Sequence, residues 1–501
     1  MTIAAASSSS LLLQTMLGLR SQLDTLQTQL GSGKKAESYA DLGSDRSLSL
    51  SLRSRISRID TYETTIRDVT VRLDLMQTSL TRLEAIAGDT KADALPLGFT
   101  LQNGQQTVAQ LSSYERLSEA VGLLNMEVEG RYFFSGRMTD TKPVVPHEIM
   151  LDGQGGKAGY RQVMNERRTA DLGGSLTDAT LTGRLDMARV DADIQISEQT
   201  GIFGFKMTPG GASSSTPTIT INGPAGAPAA LDVSVVGQPK EGDSIRIEFQ
   251  LPDGTTSNLV MKATREGPVG TDEFLVGADP IETATNLEAA LGASIDRLAR
   301  TDLAAASAHQ AGAEFFDENP PLRVVPGVGG LADATGLVAD AANTVVWYQG
   351  EEGTANPREA ALAKVDDTVT ARYGARADEP GLRTVIKELS IFTAFTFEVD
   401  DNNSAERYTA LTTRVRDGLD DPSGSTMPRS VSADIAAAQQ TLASAKNRHF
   451  AMKGVLDELM SDVEGISTEE VAAKMLSVQT RLQASYSATA MLNQLSLANY
   501  L

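Results

Sequence analysis

The 501-residue chain has no cysteine, so disulfides, thiolate metal sites and cysteine nucleophiles are excluded. It has only three histidines, His147, His309 and His449, and none of them stands in an HExxH or HxH pattern. Aromatic residues make up 5% of the chain, and the middle holds no aromatic cluster. Lys and Arg nowhere form the clustered run that a phosphate-binding surface needs, and the net charge is −21, so nucleic acid is a poor partner. Long apolar runs are also missing. The longest near the start is Leu11-Leu12-Leu13, too short for a cleaved secretory signal, and nothing elsewhere approaches the roughly 18 residues of a membrane span. A protein like this would leave the cell only by a route that reads no such signal.

Proline is missing in a more informative way. All 18 prolines lie between Pro96 and Pro428, and 36 of the 43 glycines fall in the same stretch. Both chain ends are therefore free to form long helices, and the middle is punctuated like sheet and loop. The apolar spacing agrees. Leu12, Met16, Leu19, Leu23, Leu26 and Leu30 step by fours and threes, as do Ile59, Tyr62, Ile66, Val69, Leu73, Met76, Leu80 and Leu83. Val431, Ile435, Ala438, Leu442, Ala445, His449, Met452, Leu456, Leu459 and Val463 hold one heptad register. Gly465 reads as a C-cap, and Ser467 with Glu470 as a capping box that restarts a helix. Val471, Met475, Val478, Leu482, Leu492 and Leu495 stripe that helix, with Ser485 and Thr489 weakening the seam.

Such narrow seams need partner helices. The 431–464 helix alone would be roughly 50 Å long. The economical arrangement pairs the N-terminal helices with the C-terminal ones. Helical stretches around Leu117–Val128, Leu382–Phe397 and Ala405–Leu419 could join the same bundle.

The middle alternates with period two in Thr218–Ile221, Leu231–Val235 and Ser244–Phe249, as half-buried strands do. Pro252-Asp253-Gly254 signals a turn into a further strand at Asn258–Thr264, residues 282–301 read as helix, and 209–217 reads as loop. The expected fold is α+β: a helical coiled-coil rod formed by both chain ends, with an inserted β-rich outer domain. The expected divisions are 1–145 and 431–501 as the two halves of the rod, 146–350 as the insert and 351–430 as a return segment. Residues 1–90 carry ten basic and ten acidic side chains and 431–501 carry five and seven, which leaves −19 on residues 91–430. Near-neutral ends and an acidic middle suit ends that associate while the outer part stays solvated.

Catalytic signatures are missing too. There is no GxSxG, and Gly153-Gln154-Gly155-Gly156-Lys157 has Ala158 where a phosphate loop needs Ser or Thr, so a surface turn is expected. Asp366-Asp367 and Asp400-Asp401 lack the ligand spacing of a calcium loop and are expected as solvated loop carboxylates. No cofactor and no metal site are expected. His449, at a seam position, is expected to pack.

Gln29-Leu30-Gly31-Ser32-Gly33-Lys34-Lys35 resembles the "LSSGKR" segment of bacterial flagellins and hook-associated proteins, and Ser485–Ala490 with Leu495–Leu501 is similar to their C-termini. Gly130, Tyr132, Phe134 and Gly136 fit the "G-x-Y-x-F-x-G" signature of the hook–filament junction proteins. Residues 7–10 and 40–48 depart from the common flagellin pattern.

The resemblance implies a non-enzymatic structural subunit of the extracellular flagellum, exported without a cleaved signal. It implies self-association into a helical ring or tube. Contacts with another hook-associated protein, flagellin and an export chaperone are implied as well. The filament subunit is the alternative within the family. An adhesin or enzyme carried on a helical stalk is the alternative outside it. The assembly residues are expected to be Leu12, Met16, Leu19, Leu23, Leu26 and Leu30 with Val471, Met475, Val478, Leu482, Leu492 and Leu495.

Overall fold

Proline-free, heptad-striped ends form four long helices in the computed structural model, and the middle forms sheets. Residues 2–498 are described apart from 97, 400 and 422–424, and side chains also apart from 2–10, 12 and 492–498. In chain order, α1 (Thr2–Ser32), α2 (Arg46–Asp93) and α3 (Val108–Leu124) lead to the short hairpin β1 (Glu127–Val128) and β2 (Arg131–Tyr132). Next come α4 (His147–Asp152), α5 (Tyr160–Leu172), β3 (Leu185–Val190), β4 (Asp193–Glu198), β5 (Lys206–Ser214), β6 (Ile219–Gly226), β7 (Ala229–Val235), β8 (Ser244–Gln250), β9 (Thr256–Thr264) and β10 (Glu273–Leu275). They are followed by α6 (Pro280–Leu298), α7 (Ala304–Phe316), β11 (Leu322–Val325), β12 (Gly336–Ala339), β13 (Leu362–Lys364) and β14 (Thr370–Arg372). The chain closes with α8 (Pro380–Ala394), α9 (Ser404–Gly418), α10 (Pro428–Glu464) and α11 (Thr468–Ala498). The fold is α+β.

The described residues divide into two units. One takes the residues up to Thr70, Ala363–Ala371 and those from Gln439 onward; the other takes Val71–Leu362 and Arg372–Ala438.

The first unit is helical. α1 packs against α11, and Leu52, Ile59 and Leu456 form a small apolar cluster between α2 and α10.

In the second unit, two four-stranded sheets, β3-β4-β7-β6 and β10-β9-β8-β5, share one apolar core with a face of α6. The period-two reading explains the inward rows: Leu231, Val233 and Val235 on β7, and Ile245, Ile247 and Phe249 on β8, are buried while their neighbours are not. β8 and β9 pair antiparallel around the Pro252-Asp253-Gly254 turn, where Gly254 adopts φ +82°.

Three expectations need correcting. Residues 209–214 are not loop but belong to β5, which pairs with β8 through a register shift between Met207 and Ala212. β5 is an edge strand, where a proline without an N–H is tolerated, and the Pro209-Gly210-Gly211 bulge absorbs the irregularity. Val128 stands in β1 rather than in a helix, because α3 ends at Leu124. The stretches around 117, 382 and 405 are the helices α3, α8 and α9, but they pack on one another and on α7 in the second unit.

α5 and α7 hold a buried charged cluster between them. Arg167 donates to Asp171 Oδ2 at 2.8 Å and pairs with Glu314, and Ser307 donates to Asp171 at 2.7 Å. All four residues are at least 96% buried.

Candidate assembly interface

The turn after α1 and the turn after α10 are stitched together in the first unit. Lys35 N–H donates to Glu464 O at 2.7 Å, and Ile466 N–H donates to Gly33 O at 3.1 Å. The Lys35 ammonium donates to Asp462 O at 2.6 Å and to Val463 O at 3.1 Å, satisfying carbonyls that the end of α10 leaves open. Gln29 Nε2 reaches Lys35 O at 2.6 Å. These are the residues of the Gln29–Lys35 segment, and their role is to join the two helical arms.

Beside the joint, Glu464 accepts from Ser49 at 2.5 Å and from Arg53 Nε and Nη2 at 3.0 and 2.6 Å. The Arg53 and Ser49 hydrogen bonds hold its carboxyl far below the usual range, at about 2. Gly465 does not cap α10 by a left-handed turn. It is glycine because a Cβ would lie 2.3 Å from Ser461 O. Ser467 accepts from Glu470 N–H at 3.3 Å, but Glu470 turns its carboxylate to Lys474 at 2.6 Å, so only half of the capping box forms.

Since α1 ends and α11 begins at this joint, the two lie antiparallel. Met16, Leu19, Leu23 and Leu26 are half-buried along α1. On α11, Val471 and Val478 are buried, and Met475 and Leu482 are half-buried. Ser485 and Thr489 extend the same stripe, with the Thr489 hydroxyl bonded to Ser485 O. Leu30 leaves the stripe: it is exposed, and the half-buried Gln29 takes its place. Leu12, Leu492 and Leu495 fall within the helices, but their side chains lie outside the described residues, as do Asn499, Tyr500 and Leu501. Other apolar side chains stay outside that stripe, with Leu11, Leu13 and Leu17 on α1 and Leu476, Tyr486 and Met491 on α11 all more than half exposed.

The heptad register of α10 breaks after His449. Burial passes to Lys453, Leu456, Met460 and Val463, and the expected seam residues Met452 and Leu459 turn outward. Two successive steps of four, 445–449–453, shift the phase as a stutter does. Met452, Val455 and Leu459 consequently form an exposed apolar stripe, and Phe450 is exposed on another side of the helix.

The signature residues build a corner in the second unit. Glu129 and Gly130 both have positive φ, +55° and +73°, the primed turn that a two-residue hairpin between β1 and β2 needs. Phe134 is fully buried, and its carbonyl accepts from Ala377 N–H at 2.8 Å. Gly136, at φ +66°, donates to Ala375 O at 3.1 Å, and a Cβ there would meet Glu351 Oε2 at 2.5 Å. Tyr132 is half-buried. The corner offers packing and backbone stitching, with no reactive group.

Sequence reasoning missed the tip of the β13–β14 hairpin. Asp367 accepts from the Tyr62 hydroxyl at 3.0 Å and Asp366 from Arg448 at 3.2 Å, so this pair is engaged with α2 and α10 and is not a free loop pair. Asp400 lies outside the described residues. His449 is buried and stacks on Tyr62, with ring centroids 5.8 Å apart. The Gly153–Lys157 segment is a tight turn, closed by Gln154 and Lys157 bonding each other's backbones. Among the described residues, no three His, Asp or Glu side chains gather as metal ligands would, and no helix is long and apolar enough to cross a membrane.

Residues 3–139 match the bacterial flagellin N-terminal helical region. The match runs from α1 through the corner at 130–136, and it supports a structural subunit of the flagellin-like superfamily. No curated protein matches the chain.

Proposed function

We propose that the chain is the flagellar subunit that joins hook to filament, and that it has no enzymatic role. It would assemble through its terminal helices into a ring or tube outside the cell. The observation that carries assembly is that α1 and α11 spend one stripe on each other and still leave large apolar side chains exposed, Leu11, Leu13 and Leu17 on one and Leu476, Tyr486 and Met491 on the other. Exposed apolar side chains on paired helices suit packing against further copies of the same helices. The Gly130–Gly136 corner supports the junction reading by its resemblance to that protein's signature. We read 1–145 and 431–501 as the assembling part, 146–350 as the outward part and 351–430 as the return. Another hook-associated protein, flagellin and an export chaperone are the proposed partners, and export without a cleaved signal is the proposed route.

The match to the flagellin N-terminal region equally favours the filament subunit itself. Electron microscopy of flagella from cells lacking the gene separates the two. Intact hooks without filaments, with filament protein shed to the medium, are expected for a junction subunit. Hooks that keep their junction rings and lack only the filament would make it a flagellin, and unaltered flagella would refute both readings.

A further inference from the structure

We propose that a cavity of about 430 Å³ in the first unit is a carboxylate socket, filled in the assembly by an acidic side chain from a second copy of the chain. The proposal rests on the self-assembly reading above. Arg55, Arg58 and Tyr62 of α2 line the cavity, together with Arg448, His449 and Met452 of α10.

The cations outnumber the anions that face them. Asp366 and Asp367 also border the cavity, but Asp366 is engaged by Arg448 and Asp367 by the Tyr62 hydroxyl. Arg55 and Arg58 are exposed and form no ion pair or hydrogen bond among the described residues. His449 is 4% exposed, and neither ring nitrogen has a hydrogen-bond partner. Its nearest carboxylate oxygen, on Asp366, is 3.8 Å from Nε2, beyond hydrogen-bond length. Two unengaged guanidinium forks, set beside a buried imidazole that has no hydrogen bond, are donors suited to an incoming carboxylate.

A second copy is the fitting source of that carboxylate. The exposed side chain of Met452 on the cavity wall continues into Val455 and Leu459 on the same face of the helix, so the cations sit beside an unpartnered apolar stripe. Arg and Tyr seated in pockets that become desolvated are enriched in interface hot spots. Each copy also brings a surplus of carboxylates, with a net charge of −21.

The test places a photo-crosslinking amino acid at position 58 of the full chain, and at Leu17 as a control, in cells that produce the protein. Position 58 is expected to crosslink to an acidic segment of a second copy. Crosslinks to a second copy from 17 but not from 58 overturn the socket alone, and an absence of such crosslinks from both overturns the assembly reading with it. With purified chain that polymerises, Arg55→Gln with Arg58→Gln is expected to raise the critical concentration about tenfold or more, with an unchanged melting temperature. An unchanged critical concentration overturns the socket. So does inorganic phosphate that binds the wild-type monomer but leaves polymerisation of wild type and variant equal, since the cavity would then be a free-anion site.

Discussion

Two glutamates give the chain opposite responses to pH. Glu464 is held at about 2 by its hydrogen bonds from Arg53 and Ser49, below its ordinary 4.5. A depressed carboxyl contributes stability above pH 4.5, and that stability is lost as pH falls through about 2. Glu464→Gln is therefore expected to destabilise the first unit at neutral pH. The gap to wild type should close as pH falls from 4.5 toward 2, in hydrogen exchange of the amides at the 33–35 and 464–466 joint.

Glu314 behaves the other way. Burial pushes its carboxyl up to about 7, against the attraction of Arg167. Its contribution is fully present below pH 4.5 and is lost as pH rises through about 7. Urea unfolding of the second unit should show this falling limb in wild type, and Glu314→Gln should remove it.

Gly136→Ala is a backbone test. The substitution places a Cβ at φ +66° against Glu351, and about 1–3 kcal/mol of destabilisation is expected from the left-handed conformation alone. Urea unfolding measures it.

Among the elements, α1 and α11 carry the assembly reading. Leu23 and Leu482 are half-buried on facing helices, and a charge at either place would stand unpaired in an apolar seam. Leu23→Asp and Leu482→Asp are each expected to abolish incorporation into flagella while leaving the second unit's melting unchanged. Incorporation at the wild-type level would refute the seam's role.

The helices themselves were legible from proline distribution and heptad spacing, because helix period and helix breakers are local properties. The strands at 218–221, 231–235 and 244–249 were legible for the same reason. The register shift of α10 was not, because Met452 and Leu459 are apolar whether they face a partner helix or a neighbouring copy. β5 was hidden because Pro-Gly-Gly reads as a loop unless an edge position is known. The joint at Gly33–Lys35, and the Asp366–Asp367 tip on Tyr62 and Arg448, depend on partners hundreds of residues away. Periodicity holds no signal for such pairings.

For the whole molecule, junction and filament subunits differ in number before they differ in shape. Both would present the same end helices, so the seam stripes alone do not choose between them. A junction subunit forms a short layer, because its contacts along the flagellum must end on different proteins above and below. A filament subunit contacts itself in both directions and repeats without limit, as any head-to-tail interface does unless it closes. Quantitative mass spectrometry of isolated flagella is therefore expected to find this chain as a small fraction of the bulk filament protein, with an amount per flagellum that does not grow with filament length. An amount proportional to length would mean that the chain contacts itself along the axis, which makes it the filament subunit.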